Sequence, residues 1–280
     1  MAVLAAACGG TDGGGGDEPE GPVCGDGVAE GNEQCDGADL GEATCVTAGF
    51  DVGEIACTSE CTIDVSACVT DEDQDGLNRF DEEAIGTDPT NPDTDSDGIP
   101  DGNEFAFGSD PLNPYSWPQG MGMWPNRLDE AQAAGVQATG WSVGQVPPNY
   151  QWVDQFGQVV DLHQFYGYGV VLSSGATWCP PCNQAAVGAE ELWAQHRDNG
   201  IIFLEQLAEG PTQGVPATAQ DVANWVNKYA LSYPVMYSNS PIFTPSLPTF
   251  FILDRELRVV QKIEGWGGDA SINQAIALIP

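Results

Sequence analysis

The fold is decided by Ser174-Gly-Ala-Thr-Trp-Cys-Pro-Pro-Cys182, a stretch in the second half of a 280-residue chain. An apolar run at 170–174 predicts a buried strand that leads into it, and a helix is predicted from 180 to about 197. A Cys-x-x-Cys pair that follows a buried strand and opens a helix is typical of a redox-active dithiol. The stretch therefore predicts an α/β domain with a reactive cysteine pair at the end of one strand.

The pattern on either side of this stretch extends the α/β prediction over residues 140–280. A hairpin is predicted at 151–161 with Gly157 in its turn, and Thr218 and Asp221 have capping-box spacing at the start of a helix. Further strands are predicted at 201–207, 235–237, 249–253 and 258–263, and further helices at 127–134, 218–229 and 270–278. Strands that alternate with helices favour a sheet covered by helices.

Three segments carry a resemblance to a known family: Trp-Cys-Pro-Pro-Cys at 178–182, Asp-Gln-Phe-Gly-Gln-Val-Val at 154–160, and Ser-Leu-Pro-Thr-Phe-Phe-Ile-Leu-Asp at 246–254. On these segments, residues 140–280 resemble the thioredoxin superfamily, and within it the exported TlpA/ResA-like thiol-disulfide oxidoreductases. The sequence separation of 66 between Cys182 and Pro248 leaves room for the strand and helix that this branch inserts. The resemblance implies a thioredoxin fold and a cis peptide bond before Pro248, a state that X-Pro bonds adopt at low cost.

The position of each cysteine predicts its role. Cys179 lies at a helix N-terminus, where unpaired N–H groups favour a thiolate, so it is expected to be the exposed nucleophile. Cys182, one turn inward, is expected to resolve the mixed disulfide without a cofactor. Pro180 suits the first helical position, and Pro181 stiffens the loop. The predicted substrate groove comprises Trp178, Pro180, Pro181, Leu247 and Pro248.

The chain departs from the family pattern near the cysteines. Ser173 stands where thioredoxin has a buried Asp, so the usual carboxylate that accepts a proton is missing there. Glu205 is one substitute, but it is equally well interpreted as a surface acid or one that faces the linker. Asn183 and Val187 replace a basic residue and a proline, which predicts a straighter helix and a less positive site.

The sequence lacks the residue patterns of several other enzyme classes and of metal sites that use histidine. His163 and His196 have no metal-ligating neighbours in sequence, and we interpret both as ordinary histidines. The threonine–cysteine spacing of peroxiredoxins is absent, as are Ser/His/Asp, phosphate-loop and flavin signatures. A structural disulfide that does not turn over stays open as the alternative for the cysteine pair.

The charge distribution indicates a second kind of module. The net charge is −35, and residues 1–115 hold 28 Asp and Glu but one basic residue, Arg79. Such a chain is repelled by phosphate backbones and anionic membranes, which excludes a nucleic-acid partner and favours cations or neutral surfaces.

Six cysteines lie within residues 24–70, a segment with little apolar material. Beginning Cys-Gly-Asp-Gly, it resembles the small Cys-rich repeat of large exported myxobacterial proteins. Three crosslinks in place of a core are expected, with fifteen possible pairings, and a zinc site is the competing interpretation. The predicted structural disulfides use Cys24, Cys35, Cys45, Cys57, Cys61 and Cys68.

Residues 71–92 and 93–114 form an internal repeat with 11 of 22 positions identical. Both copies match the calcium-loop pattern D-x-D-x-D-G-x5-E but leave no room for the long flanking helices of EF-hands. They resemble thrombospondin type 3 repeats, which implies structural Ca2+, and a solvated acidic linker is the alternative. The predicted ligands are Asp71, Asp73, Asp75, Leu77 and Glu82, then Asp93, Asp95, Asp97, Ile99, Asp101 and Glu104, with Asp81 as a further contributor.

The N-terminal residues 1–23 are interpreted as a residual lipoprotein signal and a Gly-rich tether. Leu4 and three alanines before Cys8 predict lipidation of that cysteine, and a disordered terminus with a stray thiol is the alternative. Apolar runs are too short for a transmembrane helix. Residues 115–139 are predicted to be a linker that packs on the next domain.

Together these features predict an exported thiol-disulfide oxidoreductase on a calcium-binding stalk, acting on disulfide-containing proteins with a thiol electron donor. Export to the periplasm or cell surface is expected, as an outer-membrane-anchored lipoprotein of a Gram-negative bacterium. The competing hypothesis is an adhesion or scaffold protein that uses its thioredoxin-like domain only for binding.

Overall fold

A computed structural model describes residues 23–238, 241–242 and 244–280. The chain divides into two compact units, Met1–Asp71 and Glu72–Pro280. The predicted lipidation site, Cys8, lies outside the described residues. None of the helices in the described part of the chain has the length and hydropathy needed to cross a membrane.

The first unit is held together by crosslinks. Its short strands pair as two antiparallel ladders, β1 (Val52–Gly53) with β4 (Cys68–Val69) and β2 (Ala56–Cys57) with β3 (Ile63–Asp64). The six cysteines form the disulfides Cys24–Cys61, Cys35–Cys57 and Cys45–Cys68. Among the described residues of this unit, the buried apolar side chains are cysteines, so crosslinks take the place of a hydrophobic core.

The repeated segment forms two acidic loops, each followed by a short helix. Helix α1 (Arg79–Ile85) and helix α2 (Asp101–Phe107) each have seven residues and end at a glycine, Gly86 or Gly108, in the left-handed conformation. A third short helix, α3 (Leu128–Ala133), follows within the predicted linker.

The rest of the second unit is built on a seven-stranded mixed sheet with helices, which confirms the predicted α/β fold. Its strands are β5 (Gln151–Asp154), β6 (Val159–Asp161), β7 (Gly169–Ala176), β8 (Ile201–Glu209), β9 (Val235–Tyr237), β10 (Thr249–Leu253) and β11 (Val259–Glu264). They lie in the order β11-β10-β7-β8-β9-β5-β6, with β7, β8 and β9 parallel and the outer strands antiparallel. The central strands β7 and β8 are buried along nearly their whole length, because helices cover both faces of a parallel core.

The helices of this domain are α4 (Pro180–Ala186), α5 (Ala189–Ala194), α6 (Ala219–Tyr229) and α7 (Asp269–Ile276). The predicted straight helix from 180 to 197 is wrong, since it breaks between α4 and α5. Val187 is extended at the break, and Gly188 takes a left-handed φ of 84° that side chains disfavour. A glycine therefore bends the chain where the family often uses proline.

The predicted linker packs on the sheet domain. Trp117 and Trp124 are buried, and Trp124 Nε1 donates to Asp154 Oδ2 at 2.7 Å. Ile99, in the second acidic loop, belongs to the same apolar core as the sheet. Acidic loops, linker and sheet consequently form one compact unit.

Gln206 on β8 ties the sheet to the segment that leads to Pro248. Its fully buried amide accepts from Trp152 Nε1 and the Ile242 N–H, each at 2.8 Å, and donates to Ser174 Oγ and the Ile242 carbonyl. One side chain thus satisfies polar groups on three separate segments.

Gln206→Leu should lower the free energy of unfolding by about 2–5 kcal/mol, because buried donors on Trp152 and Ile242 lose their acceptor. Urea unfolding followed by tryptophan fluorescence measures the change. The matched control is Gln220→Leu on the exposed side of α6, which should stay within about 0.5 kcal/mol of the wild type. Equal effects of the two substitutions would contradict this role of Gln206.

Candidate active site

Cys179 lies between β7 and α4, and Cys182 lies in the first turn of α4. Cys179 caps the helix, and its Sγ accepts from the Cys182 N–H at 3.3 Å. The two sulfurs are joined in a disulfide, and Pro180 occupies the first helical position, where no N–H partner is needed. The end of β7 and the start of α4 therefore hold the two sulfurs together.

The predicted exposure of Cys179 is wrong for this disulfide-bonded state. Cys179 and Cys182 are each only 2% exposed and belong to the apolar core of the domain. Pro180 and Pro181 are the exposed members of the motif. The helix cap places the sulfurs against the sheet, so the prolines form the outer surface.

The predicted groove residues differ in exposure. Trp178 and Leu247 are half-buried, and Pro248 is buried after a cis Leu247–Pro248 bond, as predicted. Pro248 and Cys182 line one cavity. Trp178 Nε1 donates to Glu209 Oε2 at 2.7 Å. Sequence reasoning missed this partner, since the strand predicted at 201–207 extends to Glu209 in the structure.

Lys228 brings a cation to the motif from α6, and the lower positive charge expected relative to the family stays a prediction. Lys228 Nζ donates to Asn183 Oδ1 at 2.7 Å, and the Tyr229 hydroxyl donates to the same oxygen at 2.6 Å. Asn183 Nδ2 in turn donates to the carbonyls of Cys179 and Thr177, at 2.8 and 3.0 Å. Asn183 thus links Lys228 to the backbone of the motif, a contact over 45 residues that no local pattern reveals.

Glu205 faces the interior, so its interpretation as a surface acid is wrong. Its side chain is 7% exposed and accepts from Trp225 Nε1 at 3.0 Å and from the Tyr233 hydroxyl at 3.2 Å. Burial raises the pKa of Glu205 to about 7, while these two hydrogen bonds lower it. Ser173, at the position of the missing carboxylate, is its neighbour on β7.

Each histidine has a hydrogen-bond contact through its ring Nε2. His163 is buried with Nε2 at 2.9 Å from the Pro147 carbonyl oxygen, and His196 Nε2 is 2.5 Å from Asn273 Oδ1. Within the described part of the chain, neither histidine forms a hydrogen bond with residues 178–182.

The predicted calcium ligands form two carboxylate groups within the second unit. Asp75, Glu82 and Asp101 each bring one oxygen within 4.8 Å of the others, and so do Asp93, Asp95 and Asp97. Asp101, from the second copy of the repeat, therefore lies with ligands of the first. Asp71 is the last residue of the first unit, and Asp81 is exposed and accepts from Asn78 Nδ2. Leu77 and Ile99 are buried, and their N–H groups donate to Asp75 and Asp97.

Several of these carboxylates are buried with an oxygen that no protein group satisfies. Within the described residues, these atoms include Glu82 Oε2, Asp95 Oδ2, Asp97 Oδ2 and Glu104 Oε2. Burial, together with neighbouring carboxylates, raises the pKa of Asp97 to about 8 and that of Glu104 to about 9. Unsatisfied buried oxygens of this kind fit a hard divalent cation such as Ca2+.

Comparison with known proteins supports an oxidoreductase. Residues 143–262 match the AhpC/TSA family. A thiol-disulfide oxidoreductase ResA from Bacillus cereus is 30% identical over 133 residues, which cover 44% of this chain and 70% of that protein. ResA from Bacillus subtilis is 26% identical over 148 residues, with 49% and 76% covered.

Solved structures are also similar to the C-terminal part. A putative thiol:disulfide interchange protein DsbE from Chlorobium tepidum has 20% identity and a TM-score of 0.43, covering 49% of this chain and 96% of its own. An exposed lipoprotein thioredoxin from Streptococcus pneumoniae has 22% identity and a TM-score of 0.39, covering 46% and 98%.

Lys228→Met should slow alkylation of reduced Cys179 by iodoacetamide about two- to fivefold at neutral pH, because an exposed charge contributes ~0.3–1 kcal/mol to stabilising a nearby thiolate. The measurement is the second-order rate at low ionic strength, with Cys182 quantified separately by peptide mass spectrometry. Arg258→Met, which removes a cation on the far edge near β11, is the control and should leave the rate unchanged. A rate for Lys228→Met equal to that of the control contradicts the electrostatic role.

Proposed function

Because the chain belongs through its C-terminal domain to the ResA-like thiol-disulfide oxidoreductases, we propose that Cys179 and Cys182 exchange disulfides with protein substrates. The reduced Cys179 thiolate attacks a substrate disulfide and releases one substrate thiolate. The Cys182 thiolate then attacks Cys179 Sγ and expels the second substrate thiolate. Two electrons pass from the cysteine pair to the substrate, and a thiol donor reduces the pair again.

The hydrogen bonds around Cys179 support this assignment of roles. Its Sγ accepts from the Cys182 N–H, an interaction that favours the charged thiolate. The Asn183–Lys228 contact brings positive charge to the same helix start. Cys182 lies in the first turn of α4 and lines the cavity behind the motif.

Substitution of each cysteine separates the two roles. Cys179→Ser should abolish the acceleration of insulin reduction by dithiothreitol over the uncatalysed rate, while Cys182→Ser should accumulate a mixed disulfide with insulin that non-reducing electrophoresis detects. Both variants keep a small polar side chain, and circular dichroism checks their fold. Insulin reduction by Cys179→Ser at the wild-type rate would favour a binding module instead.

We extend the proposal to export and to the acidic loops. Three structural disulfides support an oxidising compartment such as the periplasm or cell surface, since such bonds are rare in the cytosol. The alanine-rich segment before Cys8 supports a lipid anchor, by which the protein would be held at the outer membrane of a Gram-negative cell.

The acidic loops are proposed to bind structural Ca2+. In the second loop the carboxylates of Asp93, Asp95, Asp97 and Glu104 would hold the ion, with the Ile99 carbonyl as the backbone ligand. The ion supplies positive charge to buried oxygens that lack partners. It therefore acts on folding rather than on the thiol chemistry.

The second loop also contacts the sheet domain, which supports a stabilising role for bound calcium. The Asn126 N–H donates to the Asp97 carbonyl at 2.7 Å, and a Cβ on Gly98 would lie 2.5 Å from the Asn126 carbonyl oxygen. The next residue, Arg127, donates through its N–H to the carbonyl of Gln164 at 2.8 Å. Ordering of this loop by calcium should therefore stabilise the oxidoreductase domain directly.

Calcium at a hundredfold excess over its Kd should stabilise the full chain by about 2.7 kcal/mol, which raises Tm by roughly 5–10 °C. Differential scanning calorimetry with Ca2+ and with EDTA measures this. Glu104→Gln should reduce the calcium-dependent rise, because an amide cannot supply an ionised carboxylate to the ion. It should not lower Tm in EDTA, because a carboxyl with a pKa of about 9 is already neutral without calcium.

Glu130→Gln, at an exposed site on α3, is the matched control and should keep the full rise. Equal Tm values in calcium and EDTA for the wild type would overturn the calcium proposal while leaving the redox proposal intact.

A further inference from the structure

A second pocket, open to solvent, lies beside the cysteine motif on the side of α6. It has a volume of about 260 Å3 and is lined by Thr177, Pro211, Asp221, Asn224, Trp225 and Lys228. Thr177 precedes Cys179 by two residues, so the pocket adjoins the start of the motif. Its volume is that of roughly nine molecules of liquid water, which is enough to admit one side chain of a bound peptide.

The two ends of this pocket carry opposite charges. Asp221 and Lys228 are seven positions apart on α6, which is two helical turns or roughly 10 Å along the helix axis. Trp225 lies between them and contributes an apolar surface. The positive end is the one joined to the cysteine motif, because Asn183 accepts from Lys228 Nζ at 2.7 Å and donates to the Cys179 carbonyl at 2.8 Å.

Lys228 is available to bind an anion. In the part of the chain that the structure describes, four of the seven basic side chains have a carboxylate oxygen within 4.0 Å: Arg79, Arg197, Arg258 and Lys262. Lys228 is exposed and is not among them. Its Nζ contacts the Asn183 amide oxygen and lies 4.8 Å from the centre of the Tyr229 ring. An ammonium group has three donors, so Lys228 can also donate to a carboxylate.

Asp221, at the other end, is already engaged. Its Oδ2 accepts from the Thr218 N–H at 2.9 Å and from the Thr218 hydroxyl at 2.7 Å, as part of the cap of α6. This carboxylate would repel an acidic group of the substrate at its own end of the pocket. The charges of the pocket therefore favour one orientation of a bound acidic side chain, with its carboxylate at Lys228.

We propose that this pocket selects substrates with Asp or Glu beside the disulfide under attack, and that Lys228 binds the carboxylate. The inference rests on the proposed exchange reaction and names the class of substrate for it. Lys228 is then a residue that determines specificity. The methylene groups of the acidic side chain would lie against Trp225 and Pro211.

The acidity of the rest of the chain makes such a contact selective. The net charge of −35 repels anionic substrates at long range. At physiological ionic strength this repulsion is screened over about 8 Å, whereas an ion pair in direct contact is affected less. An acidic side chain is therefore favourable where it reaches Lys228, and substrates are distinguished by the position of the acid rather than by their total charge.

The test is a competition between peptides, each closed by one disulfide and identical except for Glu, Gln or Lys beside both cysteines. Two peptides at a time react with reduced full-length Cys182→Ser protein, which retains the mixed disulfide, and mass spectrometry gives the ratio of the two products. Both peptides meet the same Cys179 thiolate, so a change in its reactivity cancels from the ratio. Reduction of the peptides by dithiothreitol, a neutral dithiol, corrects for differences in their own reactivity.

Lys228→Met should lower the ratio of Glu product to Gln product about two- to fivefold, which is the range of an exposed ion pair. Lys228→Arg keeps the charge and should restore most of the ratio, and Lys228→Glu should raise the ratio of Lys product to Gln product. Lys262→Met is the matched control, because it removes an exposed cation on the edge strand β11, and it should leave both ratios unchanged.

Equal Glu-to-Gln ratios in the wild-type, Lys228→Met and Lys262→Met backgrounds would overturn the proposal. If Lys228→Met does not fold, Lys228→Gln provides the same loss of charge and the same comparison. Failure of all three peptides to form a mixed disulfide would instead contradict the proposed exchange reaction, so the two failures are distinguishable.

Discussion

The parallel pairing of β7 with β8 is the constraint on which the site depends. It brings Ser173 against Glu205 and extends with a shift to Ala176 against Glu209. Strand β7 delivers the chain to Cys179, while β8 contributes three polar side chains to different sides of the motif. Glu205 lies in the interior cavity, Gln206 binds the segment before Pro248, and Glu209 holds Trp178.

This arrangement explains how a buried strand can carry polar residues. Each of the three has a hydrogen-bond partner, so the free-energy cost of burying it is offset by interactions that also position the site. Gln206 remains neutral, whereas Glu205 is a carboxyl in an apolar wall. Its raised pKa follows from the same burial that shapes the cavity.

The carboxylates of the acidic loops stand in a different environment from Glu205. They are crowded against one another, and several of their oxygens lack hydrogen-bond partners. Binding of a cation would therefore be favourable. Glu205 has no neighbouring carboxylate among the groups that shift its pKa, so a proton is sufficient to neutralise it. Local crowding therefore distinguishes the proposed metal ligands from the single buried carboxyl of Glu205 within one very acidic chain.

Local sequence patterns predicted much of the fold, because strand hydrophobicity, capping residues and glycine turns act over a few positions. The hairpin around Gly157 and the capped start of α6 were accessible in this way, whereas the cis bond before Pro248 was implied by the family resemblance. The break at Gly188 was not predicted, because the absence of the family's proline at Val187 indicated a straight helix. A glycine that follows a β-branched residue was the available signal.

What the sequence by itself determined is the position of each reactive group along the chain: two cysteines at a strand end, six in a segment without a core, and repeated acidic loops. Only the tertiary structure decided which groups meet. The disulfide pairing, the approach of Lys228 to Asn183, and the interior placement of Glu205 depend on strand order and helix packing over long separations. The physical reason is that charge, burial and hydrogen bonding act through space, whereas a sequence pattern records only neighbours along the chain.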